Sequence, residues 1–548
     1  MYFTRSSRSS RNTRSSLSSR SPRGRHGRRS QQGRRSSQRE LRPLGTRRRP
    51  RVLAFLCLAP FLTGCFASSG GGAGDGKASG GDGARLRVAL AFPPAENLSP
   101  YGADATILSR LGVTEGLTAL DANGSAVPAL AASWRREGDR SWLFTLREAV
   151  FQDGTDVTPA AVAASLGRAV AARPAPAALT GVALTAKAAG RAAVRVTTAA
   201  PDPVLPLRLS SPSLAVLAPK AYAAEGGKEG AVDVAGTGTG PFEITRLTGT
   251  TAARLDRFDD YWGGRAQAPG VDVRFVADGS ARANALRTGE VDVAEAVPVA
   301  QAAGLDAATR REIATTRTTS LHLNARSGVF RNPALRAAAR AAVDASVLAE
   351  GVYEGHADAG AGIYGPAVTW AQGKRVQPSG RARAVAPGGA SVTLATYDNR
   401  PELPEVAQVL KQQLERAGFR VKLEVREYSR LESDALAGRF DAVVGARNSL
   451  LDTGDPVSVL AGDFTCAGGY NLSRLCDPDV DRAVGAAQAA ADTDRRQDAA
   501  MAAEALILGT DAVVPLVHQR IITGVAADVR GVAPDPYERT LVGAGTRR

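Results

Sequence analysis

The sequence predicts an α/β protein, and three observations support that prediction. Residues 391–446 read as strand, helix, strand, helix, strand, an order typical of a parallel sheet covered by helices. Alternating apolar residues at 85–90 and 142–146 predict further strands in the first third of the chain. Residues 84–548 are too many for one ordinary core and enough for two or three domains.

Local signals predict where two helices begin. Thr158 followed by Pro159 predicts a helix start, because the hydroxyl caps free N–H groups and proline suits the first helical position. Asn332 and Pro333 predict another start in the same way. The apolar side of this second helix is expected to contain Leu335, Ala338, Ala342, Val343 and Leu348.

The segment 391–446 has the clearest supersecondary pattern. Gly418 stands where glycine in the left-handed conformation commonly ends a helix. Residues 371–390, rich in Gly, Pro and Arg, predict a surface loop before the segment. Strands are expected at 391–396, 419–425 and 440–444, and helices at 401–417 and about 431–437.

The N-terminal residues predict an export signal. Residues 1–51 contain 17 Arg, no Lys and one acidic residue, and 52–62 form an uncharged, mostly apolar run. That run is shorter than the roughly 20 residues of a membrane anchor but fits the apolar region of a secretory signal. We interpret 1–64 as a signal peptide with an Arg/Ser-rich N-terminal extension. Sec and Tat export, and a start codon further downstream, stay open.

Cys65 is the predicted point of attachment to the membrane. Leu62-Thr63-Gly64-Cys65 resembles a bacterial lipobox, in which the thiol takes a diacylglyceryl group and the signal is cut before the cysteine. The Gly/Ser tract after it cannot bury enough apolar area to fold, so we interpret 65–83 as a lipidated cysteine and flexible linker. A buried core cysteine is the alternative. The prediction is a lipoprotein, with acyl chains such as palmitate, on the extracellular face of the cell membrane.

The positive charge of the chain belongs to the signal. Removing 17 basic and 1 acidic residues from totals of 69 and 54 leaves 52 and 53, a net charge of −1. The alternative interpretation of the arginine tract is a nucleic-acid-binding arm. Because the tract precedes the cleavage site and has almost no interleaved aromatic residues, we expect no nucleic-acid partner.

Cys466 and Cys476 are the two cysteines left once Cys57 departs with the signal and Cys65 is modified. In an exported protein an even remainder favours a disulfide, and a zinc site would need two more ligands. The four histidines are scattered singly, so we expect no metal site. Two unpaired core cysteines are the alternative.

Motifs of enzymes are weak or missing. The sequence has no GxSxG, HExxH or Walker motif. Residues 360–365 match GxGxxG but follow a charged turn rather than an apolar strand, and residues 236–241 read as a tight turn before a strand at 242–244. We therefore expect no enzymatic activity and no cofactor.

Short motifs occur in a characteristic order over nearly the whole mature chain. They lie at 115–118, 129–134, 144–158, 238–242, 260–264, 289–293, 323–324, 332–336 and 343–344. In this ordered set the chain resembles the extracellular solute-binding proteins, family 5, of ABC importers, which include oligopeptide-, dipeptide- and nickel-binding proteins. Acidic and aromatic positions of that family are often Ala here.

The resemblance implies a two-lobed periplasmic-binding-protein-like fold of the large type II, or cluster C, class, whose lobes are joined by two crossovers. Lobe I would comprise 84–318 and the return segment 515–548, and lobe II 319–514. The crossovers would fall near 318–320 and 514–518. The implied function is capture of a solute, most plausibly a peptide, for a membrane permease and ATPase. The alternative is a surface lipoprotein of this fold acting as a sensor or in envelope maintenance.

Asp452 is the residue that the resemblance assigns to the ligand. In dipeptide-binding relatives the first aspartate of a D-x-G-D-P stretch pairs with the ligand's α-ammonium group, and Asp452 matches that position. Asp455 and Asn448, in the same segment, are the other candidate ligand-binding residues. The alternative is that Asp452 caps the turn that follows it. The tryptophan that usually precedes this stretch is replaced here by 448–450, Asn-Ser-Leu.

Overall fold

The computed structural model describes residues 83–223 and 232–548. The predicted signal peptide, Cys65 and nearly all of the predicted linker lie outside these ranges. None of the helices within them is both long and apolar enough to span a bilayer.

The described residues form seventeen strands and thirteen α-helices. The strands are β1 Leu86–Leu90, β2 Thr118–Leu120, β3 Ala126–Pro128, β4 Ala131–Gly138, β5 Ser141–Leu146, β6 Leu184–Ala188, β7 Ala193–Thr198, β8 Phe242–Thr248, β9 Ala252–Arg257, β10 Gly270–Phe275, β11 Val293–Ala294, β12 Arg310–Leu323, β13 Ala357–Ala359, β14 Ser391–Tyr397, β15 Arg420–Arg426, β16 Ala442–Asn448 and β17 Val513–Val525. The helices are α1 Ala105–Arg110, α2 Pro159–Ala171, α3 Leu205–Arg208, α4 Gly279–Arg287, α5 Val299–Ala302, α6 Pro333–Ala342, α7 Ala345–Val347, α8 Thr369–Lys374, α9 Glu402–Arg416, α10 Tyr428–Leu436, α11 Pro456–Phe464, α12 Pro478–Ala489 and α13 Thr493–Gly509.

Most of the strands belong to one eleven-stranded sheet. Its order is β15-β14-β16-β12-β17-β11-β1-β10-β9-β8, with β13 also paired to β17. A separate four-stranded sheet has the order β4-β5-β7-β6, and β2 and β3 form a ribbon. β14 pairs in parallel with β15 and β16, as predicted from the local pattern.

The two long strands β12 and β17 run antiparallel through the middle of the large sheet. Near Arg310 and Gly524 they lie beside β11, which connects to β1 and β10. Near Thr318 and His518 they lie beside β16 and the strands of the parallel unit. They are therefore the connections between the two halves of the sheet.

Helix ends and apolar faces explain the predicted elements. The Thr158 hydroxyl accepts a hydrogen bond from the Ala161 N–H at 3.2 Å, and α2 buries Val162 and Leu166. α9 buries Leu403, Val406, Ala407, Leu410 and Leu414, spaced three and four residues apart, on the parallel unit. Gly418 follows α9 with φ +99°, a conformation that glycine adopts at little cost.

One helix is shorter than predicted. α6 begins after Asn332, whose side chain accepts from the Ala334 N–H, but ends at Ala342 rather than continuing to Leu348. Val343 is extended, and the Asp344 carboxylate caps a new short helix, α7. Leu348 is buried but belongs to the following turn.

Motifs scattered between residues 115 and 262 meet in a buried polar network. Glu115 accepts hydrogen bonds from Thr239 Oγ1 at 2.9 Å, Tyr261 OH at 2.8 Å and Trp262 Nε1 at 2.8 Å. The Arg147 guanidinium lies 3.7 Å from the centre of a Trp262 ring. These contacts hold the turn before β8 against residues 115 and 261–262, so we interpret these motifs as scaffold rather than ligand contacts.

Candidate ligand-binding site

Polar and charged side chains converge where β12, β14 and β16 meet the C-terminal segment 535–541. We call this region the lobe junction, because it lies between the two halves of the large sheet. Its charged members are Arg110, Glu295, Arg317, Arg400, Arg447, Asp452, Asp463, Glu538 and Arg539. Glu295, Arg400 and Arg447 lie at or just after the ends of β11, β14 and β16, a usual place for ligands in α/β folds.

Asn448 is placed at the lobe junction but is fully engaged by the protein. β16 extends to Asn448, beyond the predicted end at 444, because its last residues pair with β12. The side chain accepts from Thr316 Oγ1 at 2.5 Å and donates to Glu538 Oε1 at 3.0 Å and to the Tyr537 carbonyl at 3.3 Å. This geometry fastens β16 to the C-terminal segment. Ligand contact by Asn448 stays a prediction.

Asp455 is also committed to internal contacts. Its carboxylate accepts from Arg496 Nε at 2.8 Å and Nη2 at 2.7 Å, and from the Val457 N–H at the start of α11. Burial alone would raise the pKa of Asp455, but the Arg496 guanidinium lowers it below its usual range. In this geometry Asp455 caps a helix and pairs with a buried arginine.

Asp452 has the open geometry that a ligand contact needs. Its side chain is 30% exposed, and Oδ2 accepts from Arg447 Nη2 at 3.1 Å. Its Oδ1 accepts no hydrogen bond from any residue in the described ranges. The turn cap weighed as an alternative is absent there too, because the Thr453 hydroxyl accepts the Asp455 N–H. Asp452 thus lies at the junction with one carboxylate oxygen unused.

Arg317 and Glu538 neutralise each other in the middle of the junction. Arg317 donates from Nε and Nη2 to the two carboxylate oxygens of Glu538, at 3.0 and 3.1 Å. Burial would raise the pKa of Glu538, but the guanidinium groups of Arg317 and Arg400 lower it to about 2. Glu538 is therefore a carboxylate at every physiological pH.

Arg400 is a cation without an acceptor. It follows β14, and its guanidinium carbon lies 5.6 Å from the centre of the Phe92 ring. Within the described ranges it makes no hydrogen bond or ion pair. Burial first, and the nearby Arg317 charge second, lower the pKa of Arg400. Arg400 is half-buried and its guanidinium has no acceptor among the described residues, so this position favours an anionic group from outside.

A cavity of about 70 Å³ lies beside Arg400, lined also by Phe92, Asn399 and Gln519. Gln519 Oε1 is buried and has no hydrogen-bond donor among the described residues. The cavity lining thus includes the guanidinium of Arg400 and the free amide oxygen of Gln519, together with the charged side chains Arg282, Glu402 and Arg520. The sequence reasoning missed Arg400. Its one signal was a position directly after a strand of the parallel unit, where ligand-binding residues gather.

The two cysteines retained after processing are linked away from the junction. Cys466 and Cys476 form a disulfide between α11 and α12, as predicted. In the described ranges no group of three or more His, Cys, Asp or Glu residues could hold a metal ion.

Comparison with known proteins gives a family match over most of the described chain. The model of "Bacterial extracellular solute-binding proteins, family 5 Middle" matches residues 125–471. The glutathione-binding protein GsiB of Escherichia coli O1:K1 is 29% identical over 346 residues, which cover 60% of this chain and 66% of GsiB. The match therefore spans just under two thirds of the length of that relative.

Solved structures share the fold at lower identity. NikA from Staphylococcus aureus in complex with Ni(L-His)2 has a TM-score of 0.72 and 19% identity, covering 85% of this chain and 100% of NikA. DppA from Helicobacter pylori in complex with the peptide STSA has a TM-score of 0.70 and 20% identity, covering 85% and 98%. These structures confirm the predicted fold class. GsiB and DppA are named as binding proteins and the matching family is one of solute-binding proteins, in agreement with the expectation that the chain is not an enzyme.

Proposed function

The chain belongs to family 5 of the bacterial extracellular solute-binding proteins, and from that premise we propose that it captures peptides outside the cell for an ABC importer. The permease and ATPase subunits of the importer are its partners. Lobe I, 84–318 with 515–548, and lobe II, 319–514, close on the ligand by bending at β12 and β17. Closure replaces water at the junction by protein contacts.

One observation supports a peptide above the other solutes of the family. The lobe junction contains an unpaired cation, Arg400, and a carboxylate with one free oxygen, Asp452. A peptide has a carboxylate for the first and an ammonium group for the second. Charge-assisted hydrogen bonds of this kind are strong in a site shielded from water. Gln519 Oε1 adds an acceptor for a peptide N–H.

The names of the relatives are compatible with this choice. GsiB is named as glutathione-binding, DppA is described with the peptide STSA, and NikA with Ni(L-His)2. The ligands in these names are small solutes with several polar groups. Among such solutes, a peptide can pair with Arg400 and with Asp452 and can also donate an N–H to Gln519.

We further propose that acyl chains on Cys65 hold the protein at the membrane. The support is the lipobox-like Leu62-Thr63-Gly64-Cys65 and the Gly/Ser tract after it. Acyl chains contribute roughly 0.8 kcal/mol of membrane affinity per buried CH₂. Cys65→Ser should therefore leave an uncleaved precursor or release the protein into the medium. Retention of a lipidated protein in that variant would rule out Cys65 as the anchor.

The peptide proposal is tested by binding. Pools of di- to pentapeptides, simple sugars and nickel–histidine should be screened by thermal shift, followed by calorimetry on the hits. Arg400→Met should weaken binding of peptides with a free carboxylate by about 1.5–3 kcal/mol, the range for a hydrogen bond to a charged group. Amidation of the peptide's carboxylate should cost about as much.

A matched control separates the site from general charge effects. Arg383 is exposed and lies in the loop before β14, so Arg383→Met removes the same charge far from the contacts of the junction. That variant should bind peptides normally. Stabilisation by sugars or nickel–histidine but by no peptide would refute the proposal.

A further inference from the structure

Arg447, the arginine that pairs with Asp452, is also held in place by Asp463 and Tyr470. Arg447 lies near the end of β16 and donates from Nη2 to Asp452 at 3.1 Å and from Nε to Asp463 Oδ2 at 3.0 Å. Its guanidinium carbon lies 4.9 Å from the centre of the Tyr470 ring. The Tyr470 hydroxyl is 2.7 Å from that of Tyr428. The orientation of the Arg447 side chain is therefore fixed by the Asp463 carboxylate and the face of the Tyr470 ring.

The two carboxylates beside Arg447 differ in access. The Asp463 side chain is 4% exposed and its Oδ1 has no donor in the described ranges, whereas the Asp452 side chain is 30% exposed. Each carboxylate thus has one oxygen without a donor in the described ranges, and a cation from outside can reach only that of Asp452.

The contact with Arg447 limits what that cation can be. Arg447 occupies Oδ2 of Asp452, so one oxygen, Oδ1, is left for a ligand. A guanidinium group binds a carboxylate best through two parallel N–H···O bonds and needs both oxygens. An ammonium group is compact and needs one oxygen.

We propose that Arg447 determines specificity at this site: by holding Oδ2 of Asp452 it makes the junction accept a ligand's ammonium group and reject a guanidinium group. The inference rests on the proposed function, because it assumes that Asp452 meets the ligand. Arg447 is a positioning residue, since it acts through Asp452 and does not touch the ligand's cation.

The test compares two chemical forms of one probe. A pool of di- to tetrapeptides without Lys or Arg is prepared with free α-amines and, separately, with the α-amines converted to guanidines. Wild-type protein should bind the free-amine pool at least about tenfold more tightly, the value of one hydrogen bond to a charged group. Arg447→Met frees both oxygens of Asp452 and should reduce this preference to within about twofold.

The controls distinguish a specificity role from a loss of fold. Arg439 pairs with Asp434 on the exposed surface, so Arg439→Met should keep the wild-type preference. If Arg447→Met does not fold, Arg447→Gln replaces it, because it also releases Oδ2 of Asp452. A purely structural role would weaken both pools equally and leave the preference unchanged, which would overturn the inference.

Wild-type behaviour separates the two proposals. If the wild-type protein binds both pools equally, peptide capture stands and the role of Arg447 is wrong. If it binds neither pool, the peptide proposal fails and the inference falls with it.

Discussion

Arg317 and Glu538 form a bidentate ion pair that joins a central strand to the C-terminal segment, with N···O distances of 3.0 and 3.1 Å. Both side chains are nearly inaccessible to water. The pair is one of the contacts that hold residues 535–541 at the lobe junction, together with the bond from Asn448 to Glu538.

Removing the carboxylate of this pair should be costly. Glu538→Gln should lower the free energy of unfolding at pH 7 by about 3–5 kcal/mol, because it leaves the buried Arg317 charge without its partner. Urea unfolding measures the change, and the exposed pair Arg274–Glu290 offers a control in Glu290→Gln. Adding Arg317→Met should recover part of the loss. A double variant as unstable as the sum of the two single variants would contradict the pairing.

The lowered pKa of Glu538 predicts how the free energy of unfolding depends on pH in acid. The pKa of Glu538 is about 2 in the fold, against about 4.3 in an unfolded chain. Its stabilisation is therefore complete above pH 4.3 and is lost as the pH falls towards 2. Wild-type stability should fall more steeply than that of Glu538→Gln over this window. Parallel curves would show that the ion pair does not set the pKa.

The contribution of Asp463 to stability should depend on pH in the opposite direction. Burial raises its pKa to about 6, although Arg447 opposes the shift, and the unfolded value is about 3.9. A raised pKa favours the protonated fold, so this contribution is present below pH 3.9 and is lost as the pH rises through 6. Relative to wild type, Asp463→Asn should gain roughly 2–3 kcal/mol between pH 4 and pH 7.5. Urea unfolding at both pH values measures this, and a pH-independent difference would contradict it.

Local sequence patterns were sufficient for the parallel unit and for single helix starts. β14, α9 and β15 were predicted to within about one or two residues, because apolar spacing and Gly418 act within a few residues. The end of β16 was not predicted. Arg447 and Asn448 look like loop residues in the sequence, and they become strand by pairing with Arg317 and Thr318, more than a hundred residues away.

The charges of the site were harder to predict than its fold. Asp452 was singled out by its motif and Arg400 had only its position after a strand as a sign, whereas Arg317 and Glu538 have no local sign of their role. Arginine and glutamate are usually exposed, and nothing near position 538 indicates that its carboxylate meets β12. Contacts between residues 221 apart depend on the whole topology.

The disulfide should stabilise the region after α11. Replacing Cys466 and Cys476 together by Ala should cost on the order of 2–3 kcal/mol in the chain-entropy model, because the unfolded loop regains freedom. Urea unfolding measures the cost. Unreduced digestion of the exported protein should show the two halves of the loop linked, and free thiols in fresh material would contradict the pairing.

Arg539 should couple the two lobes. It is buried and donates to the Ser210 carbonyl at 3.1 Å and hydroxyl at 2.9 Å, and to the carbonyls of Leu450 and Leu451 at 2.6–3.0 Å. Lysine has three donors on one nitrogen and cannot donate to Ser210 and to the carbonyls at 450–451 at the same time. Arg539→Lys should lower the free energy of unfolding by about 2–3 kcal/mol and weaken peptide binding.

The control for this change is Arg530→Lys. Arg530 is exposed and donates to two nearby carbonyls, of Ala527 and Val529. It should unfold and bind like wild type. Small-angle scattering of ligand-free Arg539→Lys should show a larger radius of gyration, since a contact between the segments at 210 and 450–451 is lost. An unchanged radius and affinity would show that Arg539 does not hold the lobes together.

The last prediction concerns the free oxygen of Asp452. Asp452→Asn keeps the size of the side chain and its contact distance to Arg447 but removes the negative charge. If this carboxylate receives the ligand's α-ammonium group, the variant should bind peptides more weakly by about 1.5–3 kcal/mol. N-acetylation of the peptide should cost about as much in the wild-type protein, because it removes the same charge-assisted bond from the ligand side.

The losses from Asp452→Asn and from N-acetylation should not add, since each breaks the same contact. Calorimetry on the four combinations of protein and peptide decides the matter. Full affinity in Asp452→Asn, or equal binding of the acetylated peptide by wild type, would show that the ammonium group binds elsewhere.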